Sequence, residues 1–243
     1  MKGDRELFKK ETFIKPILEF FVPVHPDGHK FIALALFVAL LGFFLWEPIG
    51  WLSALIGLWV GYFFRDPPRV VPLRKGLVLA PADGRITSID KVRPSPELQL
   101  GDEERLRISI FLSVFDVHIN RSPIMGKIKH SKYIKGAFFN AALDKASEEN
   151  ERQILVIETI EGRQIGVVQI AGLIARRIVC FVMEGHTLGV GERIGLIRFG
   201  SRVDTYLPPQ QSALVAVGQR AIAGETIFAD LNLAVSRQEY KEI

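Results

Sequence analysis

Ile154-Leu155-Val156-Ile157-Glu158-Thr159-Ile160-Glu161-Gly162-Arg163-Gln164-Ile165-Gly166-Val167-Val168-Gln169-Ile170 is the stretch on which the fold turns. Two runs rich in Val and Ile flank Glu161-Gly162. Branching at Cβ favours extended backbone, and an acidic residue followed by glycine between two such runs marks a hairpin turn. Outward from this hairpin, short apolar stretches recur between Gly, Pro, Asn or charged residues: Leu77–Leu79, Arg85–Ile89, Leu106–Leu112, Gly126–Tyr133, Ile178–Met183, Arg193–Phe199, Val203–Leu207 and Ala213–Val217. Their spacing predicts a mainly β (α+β) domain, an antiparallel sandwich or barrel, over residues 65–243. The strongest helical pattern inside it lies around Ala141–Arg152.

Before that domain the sequence changes character. Residues 31–64 are almost uninterrupted apolar sequence, broken at Glu47-Pro48-Ile49-Gly50 into the runs Phe31–Trp46 and Ile49–Phe64. A sixteen-residue helix is about 24 Å long, short of the roughly 30 Å hydrocarbon core. The pattern predicts a membrane-associated helical hairpin with a turn at the break. Lys9, Lys10, Lys15 and Lys30 precede it and Arg65, Arg69, Arg74 and Lys75 follow it, while Glu47 sits at the turn. By the positive-inside rule both flanks belong on the cytoplasmic face of a cell membrane, peripheral or anchored by the hairpin. Trp46, Trp51, Trp59 and Tyr62 suit the interface. Within residues 1–30, Leu7, Phe8, Ile14, Ile17, Leu18 and Phe21 fall on one helical face, an amphipathic segment fit to lie on the bilayer. The apolar run starts too late and is too long for a cleaved signal peptide. Arg65-Asp66-Pro67-Pro68-Arg69 ends the hairpin and opens the domain.

Composition narrows the function. Of 243 residues 48% are hydrophobic, and mean hydropathy is +0.20. Net charge is +4, which suits an anionic membrane; without a dense basic run interleaved with aromatics, nucleic acid is not an expected partner. The lone Cys180 excludes an intrachain disulfide framework and reads as a filler in a buried strand. His25, His29 and His130 lack metal-like spacing, and no metal site is expected.

Ile197-Arg198-Phe199-Gly200-Ser201-Arg202-Val203-Asp204-Thr205-Tyr206-Leu207-Pro208 carries the chemistry. Gly200 has no Cβ, so its carbonyl is open to attack and its dihedrals are free. The Ser201 hydroxyl can add to that carbonyl and move the acyl group from nitrogen to oxygen. Elimination of the ester and hydrolysis leave a ketone, which condenses with amines and withdraws electrons as pyridoxal phosphate does. A Gly-Ser pair alone is a common turn, and its weight comes from its company.

That company is Ala80-Pro81-Ala82-Asp83-Gly84-Arg85-Ile86, Phe115-Asp116-Val117-His118-Ile119-Asn120-Arg121-Ser122-Pro123 and Gly189-Val190-Gly191-Glu192-Arg193-Ile194-Gly195. With Arg198-Phe199-Gly200-Ser201-Arg202-Val203-Asp204, in this order and spacing, the chain resembles the short bacterial and archaeal form of phosphatidylserine decarboxylase over about residues 65–218. The resemblance implies a self-processing proenzyme cut between Gly200 and Ser201 into a β chain, 1–200, and an α chain, 201–243. The two would stay together as a heterodimer, with higher assembly left open. Ser201 would become a covalent pyruvoyl cofactor, forming a Schiff base with phosphatidylserine and releasing phosphatidylethanolamine and CO2.

His118 is then the candidate for proton transfer, since imidazole titrates near neutral pH. Asp83 would orient a base during self-cleavage, in the manner of a triad. Long-form members carry a second histidine three residues after the first; here Arg121 stands at that place and is a poor general base. His118, His186 in Gly185-His186-Thr187, or another group must serve Ser201 instead. Arg121 suits a phosphate or the serine carboxylate, and Asn120 the headgroup; Asp116 reads as structural. Two alternatives fit the same residues: an archaetidylserine decarboxylase using the same chemistry on an ether lipid, and a non-catalytic membrane-anchored β-domain that binds without reacting.

Overall fold

The computed structural model describes residues 22–139, 149–172, 177–198 and 200–233; the amphipathic pattern before Val22 lies outside them. The chain divides into two units between Pro68 and Arg69.

The first unit is a pair of helices, α1 (Pro26–Leu45) and α2 (Glu47–Phe63), with Trp46 alone between them in extended backbone. The expected turn at Glu47–Gly50 is instead the first turn of α2. Pro48 is tolerated there because first-turn N–H groups have no intrahelical acceptor. Glu47 complements the positive end of the helix dipole and accepts a 3.2 Å hydrogen bond from Trp51 Nε1. Because α1 begins at Pro26, ahead of the apolar run, it reaches 20 residues, long and apolar enough to cross a membrane.

The helices touch through small residues. A Cβ on Gly42 would lie 2.7 Å from the Gly50 nitrogen, and one on Gly57 would lie 3.3 Å from Ala35 Cβ. Many large apolar side chains along the helices point away instead: Leu34, Phe37, Leu40, Phe44, Leu52, Leu55 and Leu58 are exposed, Phe44 by 82%, while Val60, Phe63 and Phe64 near the end of α2 are buried. A hairpin in water buries its large side chains and shows polar ones; this inverse pattern suits packing within lipid.

The second unit is built on an eight-stranded antiparallel sheet that curls into a half-barrel. Its strands, in spatial order, are β12 (Arg220–Ala221), β2 (Gly84–Val92), β3 (Arg105–Leu112), β11 (Ser201–Tyr206), β7 (Gln164–Ala171), β6 (Arg152–Glu158), β5 (Gly126–Ile134) and β9 (Thr187–Leu188). A three-stranded sheet carries β4 (Ile119–Arg121), β10 (Arg193–Ile197) and β8 (Ile178–Cys180), and β1 (Leu77–Leu79) pairs with β13 (Ile227–Asp230). The β6–β7 hairpin turns at Thr159–Gly162: Gly162 N–H donates to the Thr159 carbonyl at 2.9 Å with φ +77°, a conformation that favours glycine.

Both faces of the central strands are buried. Ile110, Leu112, Val203, Val167, Ala171, Leu155 and Ile157 belong to the main core. Ile154, Val156, Val168, Ile170 and Tyr206 pack with Leu98 and Leu100 on the opposite side. Burial on both faces explains why these strands read as continuous apolar runs rather than alternating ones.

Several boundaries differ from expectation. Ala213–Val217 forms a bend rather than a strand: it lies between Pro208-Pro209 and the Gly218 turn (φ +90°), burying Val215 while Val217 stays exposed. Arg152 opens β6 and Asn150 bridges to Ala137, so the helix expected over Ala141–Arg152 does not reach its far end; residues 141–148 lie outside the described residues. Strand β8 stops at Cys180, which is half-buried and donates its thiol to the Val182 carbonyl at 3.1 Å. Burial raises that thiol's pKa. Strands β4, β9 and β12 are two or three residues long and gave no apolar run to read, and the short run Ile227-Phe228-Ala229 of β13 was not among the expected strands.

Candidate active site

Strand β10 belongs to the small sheet and β11 to the large one, so the chain passes from one sheet to the other between Ile197 and Ser201. Gly200 makes that step with φ +69°, and a Cβ added there would meet nothing within 4 Å. The conformation, rather than crowding, is what favours glycine. Ser201 then enters the sheet as the first residue of β11, opposite Leu112 on one side and Ala171 on the other. It is fully buried, and its Oγ has no hydrogen-bond partner among the described residues. A buried hydroxyl without a partner forgoes the compensation that normally offsets desolvation.

His118 lies just ahead of β4 and is also fully buried. Its Nδ1 stands 2.9 Å from the Asp116 carbonyl oxygen, and its Nε2 accepts a 3.3 Å hydrogen bond from Gly200 N–H. A carbonyl can only accept, so the proton sits on Nδ1 and the Nε2 lone pair faces the Gly200 N–H, one residue ahead of Ser201. Asp116 holds that carbonyl in place through a turn: its carboxylate accepts from Ser113 N–H at 2.8 Å and Ser113 Oγ at 2.7 Å, and pairs with Arg220.

A phosphatidylserine decarboxylase family model matches residues 56–229. The chain belongs to that family. The matched region takes in Asp83, His118 and the Gly200-Ser201 junction, and the family's general activity is decarboxylation of phosphatidylserine.

The other predicted residues of this decarboxylase occupy different surroundings. Asp83 takes a two-oxygen ion pair from Arg69 Nη2, at 2.9 and 2.8 Å, and a 2.8 Å hydrogen bond from Ala223 N–H. Its bonds run to these groups, while the His118 imidazole is oriented by a backbone carbonyl. Arg121 is buried and donates to the Gly191 carbonyl at 3.1 Å, so part of its fork is committed within the protein. His186 pairs with Glu192 at 3.2 Å with its side chain 41% exposed, a setting unlike that of the buried His118. Asn120, fully buried, accepts a 2.6 Å hydrogen bond from Gln169 Nε2.

Gln169, Asp116 and Arg69 are the participants in this region that the sequence reading did not assign to the site. For Gln169 a signal existed, a single amide inside the apolar run Val167-Val168-Gln169-Ile170. For Arg69 there was none, because its partner lies fourteen residues away in a turn. No cluster of three or more metal-ligating side chains occurs among the described residues.

Proposed function

We propose that the chain makes its own electrophile at Ser201 and uses it to decarboxylate phosphatidylserine at a membrane surface. The observation that carries this reading is the junction itself: a buried, unpartnered Ser201 Oγ beside Gly200 at φ +69°, with the Nε2 of a buried histidine accepting from the Gly200 N–H, one peptide ahead of the bond to be broken. These residues suit the making of a pyruvoyl group. Rotation of the Gly200 N–H away from His118 breaks their 3.3 Å bond and frees Nε2 for the serine hydroxyl. Ser201 Oγ adds to the Gly200 carbonyl carbon, the C–N bond breaks as the C–O bond forms, and the hydroxyl proton passes through His118 to the freed nitrogen. Loss of the Ser201 Cα proton then expels Gly200 as a carboxylate. Water replaces the nitrogen of the resulting enamine, releasing ammonia and leaving a ketone on a chain of residues 201–243. That ketone supplies the chemistry: it condenses with the serine amine and takes up the electron pair left when CO2 departs.

Within this scheme His118 holds the mobile proton, Asp116 fixes its tautomer, and Asp83 braces the loop on which Ala223 sits. The apolar hairpin brings the domain to its lipid, with both flanks on the cytoplasmic face. Intact mass spectrometry tests the proposal. The purified protein should give two chains meeting at Gly200-Ser201, the smaller without a free amino terminus, and Ser201→Ala should give one chain and no CO2. A fully active protein that remains a single polypeptide would end the proposal.

A further inference from the structure

Strand β7 carries Gln169 on the same face of the sheet as Ser201, since Ser201 stands opposite Ala171 and Val203 opposite Gln169. Diagonal neighbours of this kind are about 7–8 Å apart at the backbone, within reach of a long side chain. From there Gln169 extends from the large sheet to the small one and meets Asn120 on β4, its Nε2 donating to Asn120 Oδ1 at 2.6 Å. Gly195 makes room for this crossing: a Cβ there would lie 2.7 Å from Gln169 Nε2. Both amides are fully buried, and each keeps one polar group without a partner, the Nδ2 of Asn120 and the Oε1 of Gln169. Whichever way the two amides are turned, a single bond between them leaves one N–H2 donor and one carbonyl acceptor unsatisfied. Such groups are costly in a core and are rarely left so without a purpose.

We propose that Asn120 and Gln169 form an uncharged pair that grips the amino-acid end of the lipid headgroup, the free N–H2 donating to the serine carboxylate and the free carbonyl accepting from its amine. This rests on the reading of Ser201 given above. One donor beside one acceptor matches an α-amino acid, whose carboxylate and amine share a carbon. The absence of charge on the pair also suits the reaction. A guanidinium facing the carboxylate would stabilise the ground state that must lose its charge as CO2 leaves, whereas an amide orients the carboxylate with less of that penalty. Ser201, His118, Asn120 and Gln169 are all buried in the intact chain, so the headgroup reaches the pair after scission releases the Gly200 end.

The test uses the full-length chain in vesicles with Gln169→Leu, Asn120→Leu and the near-isosteric Gln169→Glu. Three quantities are read: cleavage by intact mass, reductive attachment of lipid amine to the small chain by cyanoborohydride, and decarboxylation kinetics. The expected result is normal cleavage, with kcat/KM for phosphatidylserine down by about tenfold or more, as the loss of a buried hydrogen bond implies. Attachment of phosphatidylserine should fall towards that of phosphatidylethanolamine, which has the amine without the carboxylate. Gln169→Glu should fold and cleave yet disfavour the serine lipid most, through charge repulsion, so misfolding of a Leu variant does not decide the matter. Cleaved variants that keep the parent's kcat/KM and its preference for the serine lipid overturn the proposal. So does a folded Gln169→Glu chain that is not cut, which would place Gln169 in maturation. An uncut or inactive parent, by contrast, refutes the self-processing reading on which the pair depends.

Discussion

At the scale of single residues, the junction makes sharp demands. Gly200 holds φ +69°, where an L side chain costs roughly 1–2 kcal/mol. Gly200→Ala should therefore fold but cut more slowly, by about an order of magnitude if the strain falls on the reactive conformation; a time course of intact mass at the parental rate would remove conformation from the account. For His118→Ala the expected outcome is an uncut chain or a cut chain without turnover, and normal values of both would exclude His118. The serine, glycine and histidine that meet at the junction stood out in the sequence because they fall in short ordered motifs. The tautomer of His118 was not, because it is set by the Asp116 carbonyl, and a main-chain acceptor leaves no mark on composition. Gln169 was passed over for a related reason: one polar residue in an apolar strand reads as solvent-facing until the second sheet covers it. Cys180 makes a plainer prediction. Burial raises its pKa, so alkylation by iodoacetamide near pH 8 should be slow in the native protein and fast in urea, and rapid native labelling would contradict that burial.

Elements add constraints that no residue carries alone. Arg69 and Asp83 pair with side chains only 9% and 14% exposed. Removing one partner of such a pair leaves a poorly solvated charge, at a cost of about 3–5 kcal/mol. Arg69→Met should lower the urea midpoint accordingly; an unchanged midpoint would show Asp83 to be well solvated. In β11, burial raises the pKa of Tyr206, and Asp204 beside it adds to the effect. The folded protein thus binds the phenolic proton more tightly than the unfolded chain. The associated stability is intact below the ordinary tyrosine value of 10.0 and is lost as pH rises from there through the folded value. Denaturation followed against pH should show an alkaline decline that Tyr206→Phe reduces. The strands themselves were mostly legible, since β-branched runs ended by glycine or charge delimit them. Ala213–Val217 misled because buried Val215 and exposed Val217 share a short apolar composition with true strands, and the two-residue strands β9 and β12 are defined by partners rather than by their own sequence.

At the scale of the whole molecule, the hairpin and the β unit obey opposite solvent rules. Most of the hairpin's large apolar side chains are turned outward, while most of those of the sheets are turned inward. Deleting residues 1–64 should shift the protein from the floating to the soluble fraction in a vesicle gradient, and unchanged flotation would assign membrane binding to the β unit. The two-part layout was legible because the composition changes abruptly at Pro67-Pro68. The start of α1 was missed because His25-Pro26-Asp27-Gly28 looks like a loop, although Pro and Asp are well suited to a helix's first turn. The placement of the junction has a last consequence. Residues after it supply β11, flanked on both sides by strands that precede it, together with β12 and β13, each paired to a strand from the larger piece. Scission there would leave two interwoven polypeptides with no covalent tie, whose native state could not come apart without global unfolding. Once unfolded, however, the pieces must find each other by diffusion. Recovery of the cut protein should follow second-order kinetics and fail on dilution, whereas Ser201→Ala should refold at a rate independent of concentration.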